Sequence, residues 1–413
     1  MKNPGLRKRN ILPAVLAFSL LLSPAPDADA AGVVLDFIPT LRLEEGYNSN
    51  VYDRTDDEVG SFGTRLTPGL ALRLTAPDDV KLQLSGFYNW TWYHDSDAED
   101  ANDKNWNLRV ETSGAWKFTP SFSMTPSAYY VRSPDYFSRS QSLPSGDPTL
   151  PPVSIINYGN VDTDEFGGGL KFEYAPSPNW TIGATGHYSR QEFPDDNTAS
   201  GLADGTQVGG GLSVNYTVSP RSRFGVVAST THHTYETSES TDSYFLGIQF
   251  GYQFTPVLRL DTTVGASLIR EGEEGGVDER TDTSPSGSFN LSYRTETTIA
   301  RFFGSALYTG ASGYDRPSRE ITAGVGFTNH MTREWSWSIE AVYQNTESVF
   351  DENSVNIDSF TGRVGLEYRP LEWLAVNGRI IADWQESGGL QGDTIESYAA
   401  ILGFTLGKSL NIY

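Results

Sequence analysis

Few groups in this chain could do covalent chemistry. Cysteine is absent, which excludes disulfides, thiol nucleophiles, thiolate metal sites and an acylated lipoprotein anchor. The five histidines are scattered and no Gly-x-Ser-x-Gly elbow accompanies them, so no nucleophile–base pair is in view and no catalytic residue is assigned. Asp95, Asp97, Glu99, Asp100 and Asp103 crowd one stretch in the manner of a calcium loop. Such a loop needs Gly at its sixth place and Glu at its twelfth, and those places hold Asp100 and Trp106. The stretch reads as a solvated acidic loop, as do Glu273-Glu274 and Asp351-Glu352. His232-His233 sends adjacent imidazoles to opposite faces of an extended segment, whereas zinc needs convergent ligands. The glycine triplets 167–169 and 209–211 lack the helix and lysine of a phosphate loop; inside a strand they mark bends or close backbone approach. The sequence therefore predicts no metal site and no cofactor.

The chemistry that recurs is electrostatic, and it sits on alternate residues. In the stretch from Val80 to Trp92, Val80, Leu82, Leu84, Tyr88, Trp90 and Trp92 share one parity; Lys81, Gln83, Ser85, Asn89 and Thr91 share the other. Successive side chains of a strand point to opposite faces, so the segment has one apolar and one polar face. Its aromatics gather at one end, as where a strand leaves hydrocarbon for the headgroup layer. The same alternation places Arg65, Arg73, Lys81, Tyr93, Arg109, Glu111, Lys117, Tyr129, Glu165, Lys171, Glu173, Arg223, Arg259, Asp261, Tyr308, Arg363, Glu367, Arg379 and Asp383 on the polar side. A charge on a lipid face costs about 2–4 kcal/mol at the bilayer midplane, so these residues belong in a lumen. There they either form ion pairs that stiffen the barrel or line a hydrated pore and select its solute.

These residues need elements to hold them. Alternating segments come in pairs joined by tight turns such as Phe118-Thr119-Pro120, Phe254-Thr255-Pro256 and Tyr368-Arg369-Pro370. Between pairs run longer polar connections: 95–104, 134–162, 193–205, 271–282 and 347–358. Tight turns alternating with long loops define an outer-membrane barrel, turns on the periplasmic side and loops outside. Eight hairpins plus one strand at each end predict an all-β, transmembrane, antiparallel up-and-down barrel of about 18 strands, with 16 as the alternative. The longest connection carries Pro144, Pro148, Pro151 and Pro152 and then Ile155 and Ile156. A stiff stem with an apolar tip would make it either a constriction folded into the lumen or an ordinary external loop.

The first thirty residues read as an address. Lys2, Arg7, Lys8 and Arg9 precede an apolar run from Ile11 to Leu22, and Ala28-Asp29-Ala30 supplies small residues for cleavage after Ala30. That is the layout of a secretory signal peptide, leaving residues 31–413 as one barrel domain. The formal charge is −22 over the whole chain, which excludes a nucleic-acid partner dependent on a basic footprint. Aromatic residues make up 12% of a chain only 38% hydrophobic, a balance suited to a barrel with one thin apolar skin facing lipid and lipopolysaccharide.

The segment Leu43-Glu44-Glu45-Gly46-Tyr47-Asn48-Ser49-Asn50-Val51-Tyr52, followed by Thr67-Pro68-Gly69-Leu70 and the repeated aromatic-Thr/Ser-Pro turns, resembles the β-barrel porin type 2 family. The resemblance implies an outer-membrane pore for export of a secreted polysaccharide (exopolysaccharide), paired with a periplasmic polysaccharide-export protein. Tyr93, Tyr129 and Tyr308, facing inward, would let sugar faces stack. No role for Glu44 or Asn48 transfers with it. The residues alone leave two alternatives open: a general or solute-specific diffusion porin for small polar solutes, and a barrel serving as structure, adhesin or enzyme.

Overall fold

The computed structural model describes residues 33–52, 57–76, 80–99, 106–133, 162–193, 203–236, 239–272, 280–309, 317–350, 356–388, 394–408 and 410–411. Alternation becomes eighteen long strands: β1 Val34–Asn48, β2 Ser61–Ala76, β3 Val80–Tyr93, β4 Trp106–Thr119, β5 Phe122–Ser133, β6 Thr163–Ser177, β7 Trp180–Glu192, β8 Gly205–Ser219, β9 Ser222–Tyr235, β10 Thr241–Thr255, β11 Leu258–Glu271, β12 Arg280–Arg294, β13 Thr298–Thr309, β14 Ser318–His330, β15 Trp335–Ser348, β16 Asn356–Leu371, β17 Leu374–Gly388 and β18 Thr394–Gly407. Each pairs antiparallel with its sequence neighbours, and β1 closes the ring by pairing with β18 from Thr40–Gly407 to Asn48–Ala399. A two-residue β19, Leu410–Asn411, continues that seam against Phe37 and Asp36.

Closure satisfies every strand on both sides and leaves one apolar face to lipid. Leu246, Ile248, Val264 and Ile380 are 62–66% exposed, which would be costly in water and is appropriate in hydrocarbon. Aromatic pairs flank this skin at the two ends, with Trp90–Trp92 and Tyr47–Phe62 at the long-loop end and Trp335–Tyr368 and Trp180–Tyr216 at the tight-turn end. Such girdles sit at headgroup level.

Five of the tight turns share one device. A hydroxyl at the start of the turn accepts amides two or three residues on: Thr119 from Ser121, Ser219 from Arg221, Thr255 from Val257 and Leu258, Thr295 from Thr297 and Thr298, and Thr332 from Glu334 and Trp335. The hydroxyl replaces the ladder partner that the chain loses on reversing, which is why Thr or Ser recurs there.

Besides Pro176 and Pro370 beside tight turns, four prolines lie well inside strands, and each of the four coincides with a lapse in one neighbouring ladder. Pro39 pairs with Leu70 of β2 but falls between the β18 and β19 pairings of β1. Pro68 pairs with Leu41 but not β3. Pro126 pairs with Leu170 but not β4. Pro285 pairs with Ala266, while β12 and β13 stop pairing at Gly287–Ala306. A residue with no N–H can hold only one side of its ladder.

Two predicted connections are shorter than the polar composition suggested. β11 runs to Glu271 and β12 starts at Arg280; β15 runs to Ser348 and β16 starts at Asn356. Polar strand ends continue the barrel wall past the bilayer, where no apolar pattern is required.

Candidate functional site: the charged lumen wall

The register fixes which residues face inward, because residues paired across neighbouring strands share a face. Opposite the exposed skin lie Arg65 and Arg73 on β2, Lys81 and Tyr93 on β3, Arg109, Glu111 and Lys117 on β4, and Tyr129 on β5. Continuing round the wall are Glu165, Lys171 and Glu173 on β6, Arg223 on β9, Arg259 and Asp261 on β11, Arg363 and Glu367 on β16, and Arg379 and Asp383 on β17. Tyr308 departs from expectation. It stands opposite Arg319 and shares the parity of the lipid-facing Phe302, and its hydroxyl bonds Asp282 beyond the last β12–β13 pair. The reason is parity: on β13 Arg301, Phe303 and Ser305 face inward, and Tyr308 falls on the other face with Ala300 and Phe302. Pro144, Pro148, Pro151, Pro152, Ile155 and Ile156 lie outside the described residues.

The lumen handles its charges in two ways. Around much of the wall a base is matched by an acid two residues along the same strand: Lys171–Glu173 at 3.2 Å, Arg259–Asp261 at 2.7 Å, Arg369–Glu367 at 2.9 Å, and Arg109 with Glu111. Asp261 also receives Arg223 at 3.6 Å. These pairs cancel locally and contribute little field.

The arc from β15 through β18 and β1 to β2 is different. Glu44 on β1, 2% exposed, receives Arg379 of β17 at 2.5 Å and Arg65 of β2 at 3.9 Å. Arg65 also donates to Thr91 of β3 at 3.1 Å. Arg42 lies two residues before Glu44 on the same face, and Arg363 of β16 faces Glu340 of β15 at 3.8 Å. Glu44 is thus shared by two arginines and Glu340 faces a third, with Asp383 of β17 a further buried acid on the same arc. Removing an ion from water costs several kcal/mol even when it is paired, so a buried cluster of this kind is a poor way merely to hold a barrel together. It is a good way to hold guanidinium groups fixed on the lumen wall. Arg42 and Glu340 were not among the expected lumen residues, although each alternates with apolar neighbours and parity alone could have found them. Glu44 stands beside Glu45, so its parity is less clear in the sequence.

Burial differs between the two ends. At the long-loop end inward side chains are covered: Asn48, Ser61, Asn89, Tyr93, Gln344, Ile357, Ile381, Gln385, Ser397 and Ile401 are each under 9% exposed. Val51 and Ala98 pack on Tyr93 there, and Tyr52 donates to the Asp97 carbonyl at 3.0 Å. At the tight-turn end Arg73, Lys81, Lys117 and Arg223 are exposed. Inward side chains are thus more often covered toward the long-loop end than toward the tight-turn end.

Luminal aromatics lie against the wall because glycine leaves them room. A Cβ on Gly167 would meet the Tyr129 ring at 2.8 Å, one on Gly63 the Tyr93 ring at 3.0 Å, and one on Gly324 the Phe303 ring at 2.3 Å. A ring laid flat on glycine keeps its area out of the passage.

A closed β-barrel with an apolar outer band and a polar interior defines a bacterial outer-membrane protein. A family model described as "Putative MetA-pathway of phenol degradation" matches residues 149–277, a minority of the chain. No curated protein matches. Among solved structures, OccK1 (OpdK) of Pseudomonas aeruginosa is similar at 10% identity over 91% of this chain and 99% of its own, with a TM-score of 0.46. OccK2 (OpdF) of the same organism, solved with glucuronate, gives 12% over 92% and 98% with a TM-score of 0.48. A BenF-like porin from Pseudomonas fluorescens Pf-5 gives 11% over 91% and 99% with a TM-score of 0.47. The fold described above stands on this chain's own strand register.

Proposed function

We propose that this barrel is an outer-membrane diffusion channel for small polar solutes, with preference for anionic ones. The observation that carries the reading is the arginine-rich arc around Glu44, where Arg42, Arg65, Arg363 and Arg379 share the wall with Glu44, Glu340 and Asp383. An anion reaching that arc exchanges hydration for guanidinium donors already held in place, which suits carboxylates in particular. Cations meet a net positive wall and are disfavoured. The tight-turn end faces the periplasm and the long-loop end faces outside.

Export of a polysaccharide with a periplasmic partner rests on the sequence resemblance alone, carried by the first strands and the repeated aromatic-Thr/Ser-Pro turns. A lumen whose inward side chains are covered at one end suits single small solutes better than a sliding polymer.

The test is the reversal potential of refolded protein in a planar bilayer under a potassium chloride gradient. The expected result is conductance without any partner protein, selective for chloride, with selectivity falling toward neutral in the Arg65→Gln, Arg363→Gln, Arg379→Gln triple variant. Cation selectivity in the wild type would refute the reading. So would a folded barrel that conducts only with a periplasmic protein added.

A further inference from the structure

The five histidines of the chain fall into unlike settings. His94 and His232 face outward, each against a carboxylate: Glu45 at 3.2 Å and Asp242 at 2.8 Å. His187 and His233 face inward on β7 and β9, where the wall is rich in glycine. His187 stands opposite Gly209 of β8, and a Cβ there would lie 2.4 Å from the imidazole Cε1. The missing side chain lets the ring cross β8 until its Nε2 is 3.2 Å from the Gln207 side-chain amide.

Gln207 is directly opposite His233, and His233 is directly opposite Thr241 of β10. Residues so paired have Cβ atoms about 5 Å apart on one face, so amide, imidazole and hydroxyl form a lateral row with His187 folded onto its end. His233 is 3% exposed and Thr241 1%, and the His233 Nδ1 and Thr241 Oγ1 are buried without hydrogen-bond partners. Two neighbouring buried polar atoms left unsatisfied are costly unless something occupies the space between them.

We propose that this row is a binding site for a divalent first-row transition metal, with His187 and His233 as nitrogen ligands and Gln207 and Thr241 as oxygen ligands. Two neutral imidazoles suit zinc, copper or nickel; calcium and magnesium require carboxylates, and the nearest one in the row, Glu271 opposite Thr241, is already taken by Arg280 at 2.9 Å. The metal ties four adjacent strands, β7 to β10, near their long-loop end. Neither the arginine arc nor the proposed solute preference enters this inference.

The experiment uses the refolded full barrel without a polyhistidine tag, equilibrated with zinc ion, dialysed and assayed for retained metal, with folding checked by heat-modifiable mobility. The expected result is one equivalent in the wild type and in His232→Gln, with affinity at least tenfold weaker in His187→Gln and His233→Gln. Gly209→Val, which fills the space the His187 ring needs, should weaken it similarly. Should His233→Gln fail to fold, His187→Gln decides alone, because that ring is exposed. No retained zinc in folded wild type would overturn the proposal, as would zinc retained undiminished by the His187→Gln, His233→Gln double variant.

Discussion

Two adjacent residues in the middle of one strand test the barrel as a membrane object. Ile248 is the eighth of the fifteen residues of β10, faces outward opposite Val264, and is 64% exposed. Gln249, next to it, faces inward opposite Thr263 and Gly225. Arginine at 248 must enter hydrocarbon near the midplane, costing about 2–4 kcal/mol, whereas arginine at 249 enters a hydrated lumen. That cost corresponds to a folding equilibrium lowered roughly 30- to 1,000-fold. The assay is urea titration of reversible folding into lipid vesicles, comparing Ile248→Arg and Gln249→Arg with the wild type. The expected outcome is the full loss at 248 and under about 1 kcal/mol at 249. Equal losses at the two positions, or the larger loss at 249, would refute the inside-out assignment of the wall and with it the lumen described here.

Two further outcomes follow from the glycines and prolines. Gly324→Val drives a side chain into the Phe303 ring, where even a Cβ would lie 2.3 Å away, and should cost about 1–3 kcal/mol by overpacking; Phe303→Ala in the same chain should recover part of it, measured in the same titration. Pro285→Ala restores an N–H where β12 and β13 part, worth about 0.5–1.5 kcal/mol if bonded, and slower amide exchange at Leu307 and Tyr308 would report the closed seam.

The barrel was legible because lipid imposes a period of two on every strand, and short turns carry their own signature. Strand count, ring closure and the facing of residues such as Arg65, Lys171 and Arg379 follow from those two signals. Tyr308 was legible by the same count, since it falls on the parity of Phe302 and opposite to that of Arg301 and Ser305, and its inward assignment overlooked this. The partners of the charged residues were not legible. Arg379 and Glu44 lie 335 residues apart, and only the register across the closing seam joins them. The grouping of His187 with His233 depends in the same way on a glycine between them and on which residue of β8 stands opposite β9. Alternation gives the face of a residue; stagger gives its neighbours.

The proline lapses have a mechanical meaning. A ring of strands resists lateral pressure as a hoop does, through the bonds running round its circumference. Three of the four lapses, at Pro39, Pro68 and Pro126, fall between β18 and β5, and one, at Pro285, lies far round the ring. The hoop is therefore unevenly compliant, and lateral load bends it first along the arc from β18 to β5. The Glu44 cluster straddles the start of that arc, with Arg379 on its stiffer flank and Arg65 within it. The spacing of its guanidinium groups therefore changes with any strain taken up across the closing seam, where Glu44 joins strands from the two ends of the chain.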